Sequence, residues 1–390
     1  MSKDDYVIRV FDSPLEIDAT AWNELLGLQD QPTPFMRHEY LAALHHSGSA
    51  VPSNGWAARF VALESPKGRL EAACPLYIKN HSRGEYVFDW SWADAYHRHG
   101  RAYYPKGVIA VPFTPAPGSR LLARDAAARR DLLQAVLEVC RKEGLSSLHL
   151  LFGSGTDLDS AVEADLLLRH TVQFHWENRR PQPYRDFEDF LAALNQEKRK
   201  KIRQERRKVL ENGVKLRALH GRAIEDRDWD FFYRCYEQTY LEHGNPPYLS
   251  RTFFADLARQ QPDNWLLFLA ERQGRPIASS LIALGVQADR RVAWGRYWGA
   301  LERVDCLHFE ACYYAPLDWC MAHGYERFEG GAQGEHKLAR ALLPVRTSSA
   351  HWLAAPDFAQ AVARFLEREG EGVAGYVEEL ERHSPLRRPD

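Results

Sequence analysis

Glu335, His336, Lys337 and Arg340 put a carboxylate, an imidazole and two cations within one or two helical turns. Acyl transfer to an amine uses such a set. A base takes the proton of the nucleophile, and a positive group stands beside the tetrahedral oxyanion. Imidazole titrates in the right range for the first role, and Glu335 would orient it or act in its place. Lys337 or Arg340 suits the second. The segment follows RFEGG, read as a strand, and the end of a parallel strand is where α/β sheets carry function. The same four residues also read as a helix-start acid with surface cations. Glu310 and Glu329 are secondary candidates, and Glu329 stands beside Gly330 and Gly331, where backbone can approach a ligand. Each reads equally well as a surface carboxylate.

A second chemical feature is charge. From Lys198 to Lys208, eight of eleven residues are Lys or Arg. Residues 179–217 carry 13 basic and 6 acidic side chains, a local +7 on a chain of net charge −2. Like charges this close repel along a helix, and a polyanion would relieve them. Arg199, Lys200 and Arg203 are the candidate phosphate contacts, with a nucleotide, a CoA diphosphate or tRNA as ligand. A solvated helix face is the competing reading.

Aromatic residues supply a third. Trp90, Trp92, Tyr96, Tyr104 and Lys106 crowd one stretch ahead of PFTPAPG, and TYLEHGNPPYL adds His243 and Tyr248. These are candidate acceptor contacts, since such rings stack on a base or sugar. A plug between domains explains them as well.

The 390 positions, with 45% hydrophobic and 27% charged residues, exclude a disordered or collagen-like chain and predict two or three domains. The near-balanced charge excludes a generally basic nucleic-acid coat protein. The six cysteines form no C-x-x-C and read as reduced and mostly buried. The first ten residues lack a signal-like apolar region, and no apolar run reaches membrane length. The expected location is therefore the cytoplasm, with no membrane partner. No metal-ligand spacing occurs, and P-loop, full dinucleotide-fold, nucleophile-elbow and zinc-protease motifs are absent.

An internal repeat predicts the elements that position these groups. FMRHEYLAAL after Pro34 matches YLSRTFFADL after Pro247, and each precedes a Trp and a strand–turn–strand unit with a Gly-Arg turn. Trp22 matches Trp229, Trp92 matches Trp298 in strands YVFDWSWADA and VAWGRYWGA, and FHW at 174–176 matches AHW at 350–352. Each half reads as a mixed α/β sheet with helices on both faces. The expected domains are 1–178 with an insertion over 96–124, a basic helical linker over 179–213, a second copy over 214–355, and a helix and tail over 356–390.

This order resembles the GNAT acyltransferase fold, and two such halves joined by a basic segment resemble the Fem-type aminoacyl transferases. The strings FMRHEYLAAL, WADAY, YYPKGVIAVPFTP, EKRKKIRQERRKV, TYLEHGNPPYL and FEGGAQGEHKLARALLPVRTSSAHW are similar to a FemAB-like branch described as peptidoglycan biosynthesis/recognition or N-acyltransferase proteins. The resemblance implies tandem GNAT-like domains and an N-acyltransferase that joins an acyl or aminoacyl group to the amine of a small molecule or peptide. It favours the functional reading of 335–340. The first half offers GSGTDLDSAVEADLLLR at that place, without His or the basic pair, so one active site would use the second copy. GNAT members that bind acyl-CoA carry an R/Q-x-x-G-x-G/A turn, whereas this chain reads LERVDCLHFEACYY. That favours aminoacyl-tRNA over acyl-CoA as donor, with no tightly bound cofactor. The alternatives are a non-catalytic binder of glycan or cell-wall fragments, and an RNA-binding module.

Overall fold

The computed structural model describes residues 6–332 and 334–387. The chain forms two compact units. One runs to Thr171 and resumes over Arg346–Ala374; the other comprises Val172–Val345 and the chain from Gly375.

Both units use one order of elements, except that the first breaks the hairpin's return strand in two and adds helix Trp90–Arg98. The first has strand Val7–Phe11, helices Ala19–Gly27 and His38–His46, a hairpin of Phe60–Glu64 and Leu70–Cys74, strands Leu76–Lys79 and Lys106–Ile109, helix Ala126–Lys142 and strand Ser147–Leu150. The second has strand Val214–His220, helices Asp226–Glu242 and Arg251–Gln260, a hairpin of Trp265–Arg272 and Arg275–Gln287, strand Arg290–Ala300, helix Ala315–Ala322 and strand Arg327–Ala332. A side-chain cap starts one helix in each unit: Asp18 accepts from the Ala21 N–H ahead of Ala19–Gly27, and Ser250 from the Phe253 N–H ahead of Arg251–Gln260. Trp22 and Trp229, paired in the repeat, are both fully buried.

Strand pairing repeats too. Lys106–Ile109 lies antiparallel to Leu76–Lys79 and parallel to Ser147–Leu150. Arg290–Ala300 lies antiparallel to Arg275–Gln287 and parallel to Arg327–Ala332. Parallel neighbours need a long crossover, and the intervening helix supplies it in each case.

The closing strands are exchanged. From strand Leu167–Glu177, residues 173–177 pair with Arg327–Ala332 of the second unit. From strand Leu343–Leu353, residues 350–353 pair with Ser147–Leu150 of the first. Phe174 and Trp176 thereby join the core of Leu317 and Phe328. Ala350 joins that of Val136 and Leu148. The unit limits consequently differ from the expected cuts at 178, 213 and 355. Residues 179–213 are no separate linker: helices Phe187–Ala192 and Gln196–Glu211 bury Phe187, Phe190 and Ile202 in the second unit's core. The long helix Pro356–Arg382 gives Phe358, Val362 and Leu366 to the first unit and Leu380 to the second.

A further correction concerns 90–124. Trp90–Arg98 is a helix, not a strand, because Trp92 and Tyr96, four residues apart, bury one face beside Tyr103 and Phe358. Trp92 is therefore no counterpart of Trp298, which lies in a strand. The expected loop over 96–124 contains sheet strands Lys106–Ile109 and Leu122–Ala123, both buried. Among the described residues no helix is long and apolar enough to cross a membrane, and no His/Cys/Asp/Glu cluster could hold a metal.

Strand exchange makes Ala350 a core position of the first unit. Ala350→Asp should cost about 4 kcal/mol or more, since the new carboxylate has no partner there. Urea unfolding measures it, and a loss under about 1 kcal/mol contradicts the assigned pairing.

Candidate active site

In the second unit the parallel strands part. Pairing runs from Val292↔Arg327 to Trp294↔Glu329, after which the register with Arg290–Ala300 ends. Gly295 and Gly330 follow, and both line a cavity of about 130 Å³ with Ser280, His308, Cys312 and Tyr313. A Cβ on Gly330 would lie 2.6 Å from the end of the Leu342 side chain and 3.1 Å from the Phe174 carbonyl, so a larger residue has to displace Leu342 and crowd that carbonyl.

Glu335–Arg340 forms a 3-10 turn between two left-handed residues, Gly334 (φ 105°) and Ala341 (φ 59°). His336 is exposed, and its Nε2 stands 3.1 Å from the hydroxyl of Tyr313 in the cavity wall. The rings of His308 and Phe309 flank it. Partial burial and the charges of Arg340 and Lys337 lower the His336 pKa, leaving a neutral imidazole at neutral pH. Lys337 is buried and donates from Nζ to the Gly331 carbonyl at 3.0 Å. Burial lowers its pKa to about 8. A neutral imidazole and a readily titrated ammonium thus sit on one turn beside the cavity.

Arg340 is turned the other way. Its guanidinium donates to both Glu205 carboxylate oxygens at 3.1 and 3.2 Å, and to the His336 carbonyl at 2.6 Å. It lies 3.5 Å from the Phe309 ring centre. Tyr314 also donates to Glu205. Arg340 is therefore corrected from oxyanion partner to anchor, because its charge is already spent on a buried carboxylate. Glu335 is likewise no orienter of His336. It is exposed and accepts from Tyr376 at 2.6 Å.

Glu329 is buried, with His175 Nε2 at 3.9 Å and Arg327 at 3.8 Å. Glu310 begins a π-helical turn, Glu310–Tyr314, and accepts from Arg206 at 3.1 Å. Neither is a surface carboxylate. On the basic helix, Lys200 and Arg203 are exposed and Arg199 is half-buried; Arg203 also pairs with Glu188.

The aromatic candidates divide. His243 ends helix Asp226–Glu242, with Nδ1 2.6 Å from the Thr239 carbonyl, and the Tyr248 ring packs on Tyr240. Trp90 is exposed in the first unit, and Tyr104 is half-buried against Ser82. Trp92, Tyr96 and Lys106 are interior groups, not acceptor contacts. Lys106 is fully buried and donates to Glu85 at 2.8 Å and Asp89 at 2.5 Å. The interior position of these groups removes the main support for a glycan-binding surface there.

Sequence reasoning missed Tyr313, His308 and Glu205. Tyr313 and His308 stand in HFEACYY, which is informative only once the parting strands put a cavity beside it. Glu205 is the lone acid within the run from Lys198 to Lys208. An isolated carboxylate among cations was the available signal.

A FemAB-like family model, described as peptidoglycan biosynthesis/recognition, matches residues 13–388. No curated protein matches the sequence. Among solved structures, a C-terminal DUF2156 domain named for a lysylphosphatidylglycerol synthetase of Agrobacterium fabrum is similar at 12% identity. It covers 90% of this chain and 96% of its own, with a TM-score of 0.55. FemX is similar at 10% identity, covering 89% and 98%, with a TM-score of 0.53. The L-PGS of Bacillus licheniformis matches at 10% identity over 92% and 99%, also at 0.53. At such identities the likeness is one of fold, and it extends over both halves.

The position of Lys337 makes stability depend on pH. Between about pH 8 and 10.5 the unfolded chain, with an ordinary lysine, binds more protons than the folded one, so stability rises with pH. Relative to Lys337→Met, the wild type should gain up to about 3 kcal/mol across that window. Urea midpoints at pH 7.5 and 10.5 measure the gain, and a constant difference contradicts the buried ammonium.

Proposed function

The chain belongs to the FemAB-like peptidoglycan biosynthesis/recognition family; we propose that it is an acyltransferase, moving an aminoacyl group from aminoacyl-tRNA to a free amine of a peptidoglycan-precursor peptide. The observation that carries this reading is the pairing of His336 and Lys337 on one turn beside the cavity of the parted strands. The turn before the crossover, Leu301–Cys306, has no glycine to bring backbone N–H groups onto a CoA diphosphate. Cations without an acidic partner on the basic helix favour an RNA-borne donor.

In the proposed step the acceptor amine attacks the acyl carbonyl carbon. The new C–N bond forms as the ester C–O bond breaks. Tyr313 stands between cavity and imidazole, so the amine proton passes to the Tyr313 oxygen as Tyr313 gives its own proton to His336 Nε2. The imidazolium returns a proton to the departing ribose oxygen. Lys337 Nζ, held near the Gly330–Gly331 backbone, supplies positive charge to the oxyanion.

Incubation with charged tRNA and a precursor pentapeptide bearing a free side-chain amine, followed by mass spectrometry, should give the amide. His336→Ala should lower kcat by about 10²–10⁴ and Lys337→Met by about 10²–10³, with both variants folded. The kcat profile should rise along a limb below pH 6.5, as His336 loses its proton, and fall near pH 8, as Lys337 loses its charge. A folded His336→Ala variant with full turnover would refute the proposed base.

A further inference from the structure

An open groove of about 690 Å³ runs beside the basic helix on the second unit, away from the cavity of the parted strands. Its apolar surface comes from Leu210, Leu216 and Phe268, and its wall from Asp318, Trp319 and His323. Trp319 and His323 stack with ring centres 4.0 Å apart and planes at 15°. His323 is exposed, so a third ring can extend that stack.

The basic helix leads into this groove. Arg206 and Leu210 line it, and Arg203 and Arg199 lie one and two turns back along the same side, at helical spacing. Among the described residues, Arg199, Lys200, Lys201 and Lys208 have no ion pair within 4 Å, whereas Arg206 is held by Glu310 and Asp318. Cations thus track one side of the groove while the lining itself is balanced in charge. The Asp318 carboxylate is 45% exposed and remains able to accept further hydrogen bonds. Unpaired Arg199 on the groove side of a cationic helix, an extendable aromatic stack and a carboxylate acceptor together match a single-stranded nucleic acid.

We propose that this groove is a nucleobase subsite, in which an unpaired base carrying an exocyclic amine, in a single-stranded RNA, stacks on Trp319–His323 and donates that amine to Asp318. The phosphates of the same strand run along Arg199, Lys200 and Arg203. The acceptor edge of uracil would face the carboxylate and is disfavoured. This inference rests on the reading of an RNA-borne donor and adds to it where an unpaired base of that RNA is held.

The test is fluorescence anisotropy of the full chain with labelled octamers of cytidylate, adenylate and uridylate, over a range of salt. The cytidylate and adenylate octamers should bind more tightly than uridylate, and Trp319→Ala should weaken them about 10- to 100-fold. Asp318→Ala should remove the preference over uridylate. Arg199→Glu should weaken all three octamers and reduce the salt slope by about one or more. Binding that depends on salt but ignores Trp319→Ala and Asp318→Ala overturns the subsite and leaves the RNA-borne donor standing. No binding of the octamers or of whole tRNA overturns both. Circular dichroism of each variant confirms that it is folded.

Discussion

Glu205 is an acid in the middle of a cationic run, and its burial is the constraint on which the second unit's site depends. Two charges taken out of water cost several kcal/mol each unless geometry repays them. Here Arg340 meets both carboxylate oxygens, Tyr314 donates as well, and the guanidinium rests on Phe309. The partners come from the basic helix, the π-helical turn Glu310–Tyr314 and the 3-10 turn, so one buried cluster joins three elements distant in sequence. The Arg340 bond to the His336 carbonyl extends that hold to the turn bearing the imidazole. A turn flanked by two left-handed residues has little intrinsic preference for one conformation, and the pair supplies it.

The two units use the same sheet plan for different ends. In the second, Gly295 and Gly330 line the space between the parting strands. At the corresponding ends in the first, Ala110, Leu151 and Phe152 pack with Val87 into a small apolar cluster. Beside it lies a buried polar network. Burial works against the charge of Lys106, but Glu85 and Asp89 more than reverse it. Tyr103 donates to Asp89 at 2.6 Å, and His149 lies 2.7 Å from His351 of the exchanged strand. Joined this way, the network ties the strand end from the second half to one sheet position.

Much of this was legible in the sequence because it is local or periodic. The paired Trp22 and Trp229, the Gly-Arg hairpins and the helix 196–211 follow from spacing and caps. The candidate turn at 335–340 stands out by residue types, and the family resemblance favours its functional reading over surface charge. What escaped depends on long-range pairing. Nothing in FHW or AHW says which sheet receives it, since both strands are apolar enough for either core. WSWADAY carries aromatics at both strand and helix spacing, and burial of Trp92 and Tyr96 decides for the helix. Arg340 reads as an oxyanion partner until Glu205, 135 residues earlier, is seen beside it.

The most direct measurement of this account is amide hydrogen exchange, followed by mass spectrometry, of Glu205→Gln against the wild type. The variant keeps the side-chain shape and removes the charge that holds Arg340. The amides of Lys337, Ala341 and Leu342 bond within the turn. They should exchange at least about tenfold faster, a loosening of about 1.4 kcal/mol, while strand 292–294 stays protected. Unchanged exchange over 337–342 in a folded variant would show that the Glu205–Arg340 pair does not hold the turn.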